Sequence, residues 1–201
     1  MRPTYPVPTD RLLLRPFAAT DFEALLAIQS RADVARYLYW DPRTAAEVRE
    51  TLDTKVRATA IVAEGDYISL AAVLSESGEM IGDCTLSWAS AEHRQAEIGF
   101  VFHPDHHGYG YATEAAGALL ALAFDDLKAH RVFGRLEARN TASARVLERL
   151  GMRKEAHLVE NEHVKGEWQS EVVYALLERE WTSRRRRGGA GSAGDRRGTS
   201  A

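Results

Sequence analysis

Apolar positions along the chain change period repeatedly, and each change marks an element. Arg11 to Phe17, with three consecutive leucines, reads as a short strand closed by Pro16. From Phe22 to Ser30 the apolar spacing becomes helical, and Thr20 with Glu23 three residues on predicts a capping box at its start. Ala32 to Trp40 reads as a short second helix. A second capping box, Thr44 with Glu47, opens a third over Thr44 to Thr59. Two strand patterns follow, Tyr67 to Glu76 and Glu79 to Trp88, joined by a turn of hairpin length containing Gly78. A third apolar run, Gln95 to His103, completes an antiparallel meander. The period then returns to helical from Tyr111 to about Leu127. Arg131 to Ala138 predicts a strand, and Asn140 to Leu150 a helix with Gly151 as its C-terminal cap. Met152 to Glu160 and Trp168 to Leu177 predict the last two strands, the second running into a short end segment, Glu178 to Trp181. The fold class implied is α/β: a mixed, mostly antiparallel sheet flanked by helices. One domain covers residues 1–181, and the Arg/Gly/Ser-rich residues 182–201 predict a disordered tail.

Composition narrows the class without choosing a function. The chain has 201 residues, of which 45% are hydrophobic and 27% charged, ordinary values for a soluble domain with a proper core. No secretory signal pattern opens the sequence and no apolar run would span a bilayer, so the expected location is cytoplasmic and no membrane partner is called for. The single cysteine, Cys84, excludes an internal disulfide and a multi-cysteine zinc site. Net charge is −3, but the last eighteen residues hold six arginines and one acid, so the body carries about −8 and would attract a cationic or amine-bearing partner. The tail arginines suit nucleic-acid phosphates in principle, but their glycine and serine neighbours favour a solvated end over a nucleic-acid partner.

The stretch His106 to Gly117 (HHGYGYATEAAG) carries the chemistry. Glycines at a strand-to-helix junction let backbone N–H groups approach an anion, and the helix N-terminus adds a favourable dipole. A phosphate-binding P-loop is excluded, because Gly110 is followed by Tyr111 rather than lysine. A dinucleotide fingerprint fits poorly: Thr113 stands where its third glycine belongs, and the upstream sheet is antiparallel. A plain glycine turn remains open on this stretch alone. His103, His106 and His107 form an H-x-x-H-H cluster with only Asp105 nearby to complete a ligand set, so no metal site is expected.

Together with Ala96 to Phe102 (AEIGFVF) and Ala138 to Met152 (ARNTASARVLERLGM), the glycine stretch resembles the Gcn5-related N-acetyltransferase (GNAT) superfamily. The opening Asp10 to Leu25 and the ending Gly166 to Trp181 resemble its ribosomal-protein N-terminal acetyltransferase (RimJ/RimL-like) branch. The resemblance implies the acyl-CoA N-acyltransferase fold, a sheet splayed between its fourth and fifth strands, counting Arg11 to Phe17 as the first. It also implies acetyl-CoA as cosubstrate, no metal, and transfer of acetyl to a primary amine, either a protein N-terminus or a small molecule. The matching cofactor positions are His107, Gly108, Tyr109, Gly110, Tyr111, Ala112 and Thr113 in the pyrophosphate loop, with Asn140 and Ser143 near the pantetheine arm. Backbone groups of Phe100, Val101 and Phe102 would supply the oxyanion donor. Glu97 is the candidate general base, acting through water, and Ser143 the candidate proton donor to the leaving thiolate. A structural carboxylate, a plain helix cap and an ordinary first-turn serine are the competing readings of Glu97, Asn140 and Ser143. His107 departs from the Arg or Gln usual at its position, and Ser170 from an aspartate. Tyr37, Tyr39 and Trp40 are core or rim, or else part of an acceptor pocket. Monomer and homodimer both remain open. The rival functions are a non-catalytic CoA- or nucleic-acid-binding module and a dinucleotide oxidoreductase, the latter opposed by the meander.

Overall fold

The computed structural model describes residues 1–191. Its eight strands form one sheet in the order β1-β2-β3-β4-β5-β6-β8-β7. They are β1 (Val7–Pro8), β2 (Leu12–Pro16), β3 (Tyr67–Leu74), β4 (Met80–Ser90), β5 (Gln95–Phe102), β6 (Arg131–Glu137), β7 (Arg153–Val164) and β8 (Glu167–Leu177). Every neighbouring pair is antiparallel except β5 and β6, which run parallel. The meander predicted from the alternating runs is β3–β4–β5. Strand β1 carries two residues and no alternation, and the apolar pattern does not foretell it.

Cross-strand partners share a face, so the register assigns each side chain. Ala96, Ile98 and Phe102 of β5 join Ala115, Ala116, Leu119 and Leu120 of α4 (Tyr111–Ala121) and Val146 and Leu147 of α5 (Thr141–Arg149) in the larger core. On the opposite face, α1 (Phe22–Gln29) and α3 (Ala45–Arg57) bury Leu25, Ile28, Val48 and Leu52 against Phe17, Ala71, Val73 and Met80. Glu97 pairs with Ser87, Gly99 with Thr85 and Val101 with Asp83, placing all six on this second face.

The β5–β6 ladder is short. Pairing runs from Gln95↔Arg131 to Glu97↔Phe133 and stops. Beyond it Leu147 of α5 packs over Gly134, where a Cβ would come within 3.1 Å of Leu147 Cδ1. The strands part there, which is the splay that the resemblance implies.

Several local expectations change. The Thr44–Glu47 capping box forms, with Thr44 N–H donating to Glu47 Oε2 at 2.7 Å. The Thr20–Glu23 box does not. Asp21, almost fully buried, instead accepts from Ala18 N–H at 2.7 Å and from the Arg15 guanidinium at 2.7 and 2.8 Å, and a single 3₁₀ turn precedes α1. A buried carboxylate satisfied three ways outweighs an exposed threonine cap. The second helix, α2 (Ala32–Ala35), is a single turn. The long helix keeps α-geometry to Ala121 and widens to a π turn over Leu122–Asp126. Gly151 caps α5 at φ +77°, with Met152 N–H reaching back to Leu147 O at 3.0 Å. The ending differs most. Helix α6 (Glu178–Gly191) continues into the segment composition marks as disordered, held by Trp181 stacked on Phe124, Arg184 donating to Leu150 O and Arg185 paired with Asp125. Residues 192–201 of the expected tail lie outside the described residues.

Candidate active site

Where β5 and β6 separate, a cleft of about 210 Å³ opens. Its walls include Ile98 to Val101 of β5, Gly134 to Glu137 of β6, Asn140, Ser143 and Leu147 of the α5 segment, and Tyr37 and Tyr39 from beyond α2. Strand alternation decides which backbone groups face it. His103 N–H donates to Ile81 O at 2.9 Å, so odd-numbered β5 residues direct their backbone groups to β4. The His107 ring, through Nε2–H, donates to Phe102 O at 3.1 Å on the open side. The N–H groups of Phe100 and Phe102 therefore face the cleft, and that of Val101 turns to β4. Of the three candidate oxyanion donors, Phe100 and Phe102 face the cleft and Val101 does not.

At the end of β5 the chain turns through Pro104–His106 into the glycine loop. Gly108 and Gly110 have φ of +85° and +86°, left-handed values that an L side chain resists. Gly110 is the residue before α4, and the N–H groups of Gly108 through Thr113 have no hydrogen-bond partner among the described residues. Six unpartnered donors in sequence stand at the positive end of an eleven-residue helix, a cradle of the kind that suits an anion. The loop is braced by the residues just before β2. Arg11 donates to Tyr109 O at 3.0 Å, stacks 4.6 Å from the Tyr111 ring centre and pairs with Glu114 at 2.7 Å. Glu114 also accepts from the Thr9 hydroxyl at 2.6 Å and from Arg11 N–H at 2.7 Å. Burial works to raise the Glu114 pKa, but these donors outweigh it and hold the carboxyl below its usual range. The His107 side chain, by contrast, is turned back toward Phe102 and anchors the loop rather than facing the cradle. His106 Nε2 lies 3.3 Å from Glu79, and no three ligand-type side chains converge among the described residues.

Glu97 occupies the last paired position before the splay, on the α1–α3 face. It is not free. Arg135, two residues past the end of the ladder, holds it in a two-pronged ion pair at 3.0 and 3.2 Å across the mouth of the cleft. That bond is the main reason the Arg135 guanidinium sits above its usual pKa. Asn140 caps α5, its Oδ1 accepting from Ser143 N–H at 3.1 Å. The side-chain NH2 of Asn140 and the Ser143 hydroxyl make no hydrogen bond among the described residues, and both residues line the cleft.

Arg149, the Lys55–Asp83 pair and the Glu171 partner of Tyr39 escaped the sequence reading. Arg149 of α5 donates to Thr113 Oγ1 at 3.1 Å, which brings a cation with no carboxylate partner among the described residues to the edge of the cradle. The i, i+4 repeat of Arg145 and Arg149 was its only sequence signal. On the second face Lys55 of α3 forms a buried pair with Asp83 at 2.7 Å, joined by Ser69. Tyr39 donates its hydroxyl to Glu171 of β8 at 3.1 Å.

Comparison with known proteins agrees with this geometry. A family model for the acetyltransferase (GNAT) domain matches residues 11–153. The uncharacterized N-acetyltransferase YnaD of Bacillus subtilis is 32% identical over 178 residues, covering 87% of this chain and 98% of the relative. The putative ribosomal N-acetyltransferase YdaF of the same organism is 29% identical over 176 residues, 86% of this chain and 94% of the relative. The crystal structure of a GNAT-family acetyltransferase from Bacillus anthracis superposes with a TM-score of 0.78 at 32% identity, over 87% of this chain and 99% of that one. With the family model spanning the cleft and the glycine loop alike, this chain belongs to the GNAT family of acetyltransferases.

Proposed function

We propose that the chain transfers the acetyl group of acetyl-CoA to a primary amine, with the thioester end in the β5–β6 cleft and the pyrophosphate on the glycine loop. The observation that carries this reading is the geometry at the two ends of β5. A ladder that stops at Glu97↔Phe133 leaves the Phe100 and Phe102 N–H groups facing a cleft, and the same strand leads into six unpartnered N–H groups. The residues fit the cosubstrate: its phosphates match the cradle and Arg149, and its extended pantetheine arm matches an unpaired strand edge. The likeness to YdaF and the end motifs support the ribosomal-protein branch as the chain's place within the family.

Acetyl-CoA would supply the thioester whose carbonyl carbon the amine attacks and whose C–S bond then breaks. The protein's part is positional and electrostatic. The Phe100 or Phe102 N–H polarises the carbonyl and stabilises the negative oxygen. Glu97 takes the proton from the amine through water, and the Ser143 hydroxyl gives one to the departing sulfur. The proton held by Glu97 returns to the Ser143 oxygen through solvent, so both groups end as they began. The Arg135 fork aims the Glu97 carboxylate across the cleft mouth. The same fork favours a second reading, cofactor binding without turnover, because both Glu97 oxygens are already engaged by the guanidinium. Thiol release from acetyl-CoA with a panel of amines and N-terminal peptides separates the two. Amine-dependent release supports transfer; tight binding with no release for any amine supports the second reading.

A further inference from the structure

Beside the cleft, next to its wall residue Tyr39, lies a buried carboxylate without a cation among the described residues, Glu171. Cross-strand pairing puts Glu171 of β8 opposite Glu137 of β6, and Val173 opposite Arg135, so Glu171 shares the face of Arg135 and Glu97. Most acids there have cations. Glu97 has Arg135, and Glu137 and Glu167 share Arg139 at 2.8 and 2.6 Å. Glu171 is only 5% exposed and forms no ion pair among the described residues. Among the described residues its one hydrogen bond comes from the hydroxyl of Tyr39, a residue that lines the cleft. Tyr39 in turn faces a second carboxylate, Glu162 of β7. Burial first, then Glu171 and Glu162, push its phenol well above the usual range, so it stays a neutral donor between two acids. The Arg135 charge is felt by this group but is already committed to Glu97.

Burying a carboxylate without a cation costs free energy unless something completes it. Tyr39 supplies a hydrogen bond and no charge. We infer that Glu171, with Tyr39 and Glu162, is a specificity site for a second cationic group on the acceptor. The favoured substrate is then an amine with another ammonium or guanidinium a few bonds from the nitrogen that is acetylated. An alkyl diamine and a peptide with a basic residue beside its N-terminus share that chemistry. An acceptor with a carboxylate in that place is repelled. The inference rests on the transfer reading only in taking this face as the acceptor side.

The test pairs binding with turnover. Diaminobutane and butylamine are titrated into the wild-type protein and Glu171→Gln by calorimetry, and thiol release is followed with both. Two peptides differing only in Lys or Ala at the second position form the other arm. The wild type should favour the dicationic member of at least one pair by about tenfold or more, and Glu171→Gln should erase the preference through KM while leaving the monocation unchanged. The arm with the larger preference identifies the source. Removing an unpaired buried charge should leave the melting temperature equal or higher, so loss of binding cannot be read as unfolding. Equal affinity for both members of both pairs in the wild type overturns the inference, as does a preference that survives Glu171→Gln. Dicationic binding without thiol release would uphold this site and sink the transfer reading; release without dicationic preference would do the reverse.

Discussion

Replacing Glu97 by Gln keeps the shape of the side chain and removes its charge and its capacity to take a proton. The structure sets the size of both consequences. The Glu97 and Arg135 side chains are 26% and 46% exposed, so their fork is screened and contributes at most about 1 kcal/mol. For a domain of this size that moves the melting temperature by no more than roughly 2–4 °C. Activity should respond far more, because a positioned base contributes about 10²–10⁴ to the rate. The loss should also depend on pH. A peptide α-amine has a pKa of about 7.7–8.0, so at about pH 9 most of the acceptor is already neutral and the base matters less. Thiol release by both proteins at about pH 7 and about pH 9, with saturating acetyl-CoA, reads this directly. The ratio of wild-type to variant kcat/KM should be large near neutrality and shrink at the higher pH. A variant within threefold of wild type at both values, with the fold intact, would refute Glu97 as the base.

Arg149→Ala should weaken acetyl-CoA binding about tenfold and flatten its salt dependence, because a phosphate-facing cation is lost while Thr113 remains; calorimetry at two salt concentrations measures both. Lys55→Met leaves Asp83 buried without its cation and should cost about 3–5 kcal/mol, seen as a fall in melting temperature of roughly 6–20 °C. Adding Asp83→Leu should recover most of that loss. Glu114→Gln should destabilise the protein near neutrality but not in acid. The folded Glu114 carboxyl titrates below its unfolded value of about 4.3, so its contribution is complete above that value and disappears as pH falls through the lower folded one. A melting-temperature difference that does not shrink as the pH falls below about 4.3 would contradict this.

What the sequence shows best is what is local. Gly108, Gly110 and Gly151 stand where left-handed backbone is needed, and all three adopt it. The Thr44–Glu47 box is a four-residue event and forms as spaced. The meander follows from alternation within each strand. What stayed hidden depends on residues far apart in the chain. Asp21 cancels the Thr20 cap only because Arg15 of β2 lies beside it. Glu97 on β5 reads as a free carboxylate until the parallel β6 brings Arg135 against it, 38 positions later. Tyr39 and Glu171 are 132 positions apart, and no local pattern joins them. The arginines at the end of the chain show the reverse failure: their composition predicts solvated disorder, yet Arg184 and Arg185 find partners at Leu150 and Asp125 and extend a helix.

Whether the β5–β6 cleft and the glycine loop together hold acetyl-CoA is tested most directly by calorimetric titration of acetyl-CoA into the wild type and Gly110→Trp. Gly110 needs its left-handed backbone, and a Cβ there would meet only the end of the Arg11 side chain at 3.5 Å, so a bulky indole has its start beside the unpartnered N–H groups and should block them. One site per chain in the wild type, and none in a variant that still melts cooperatively, is the predicted result. Equal affinity in both proteins, or no binding to the wild type, would contradict it.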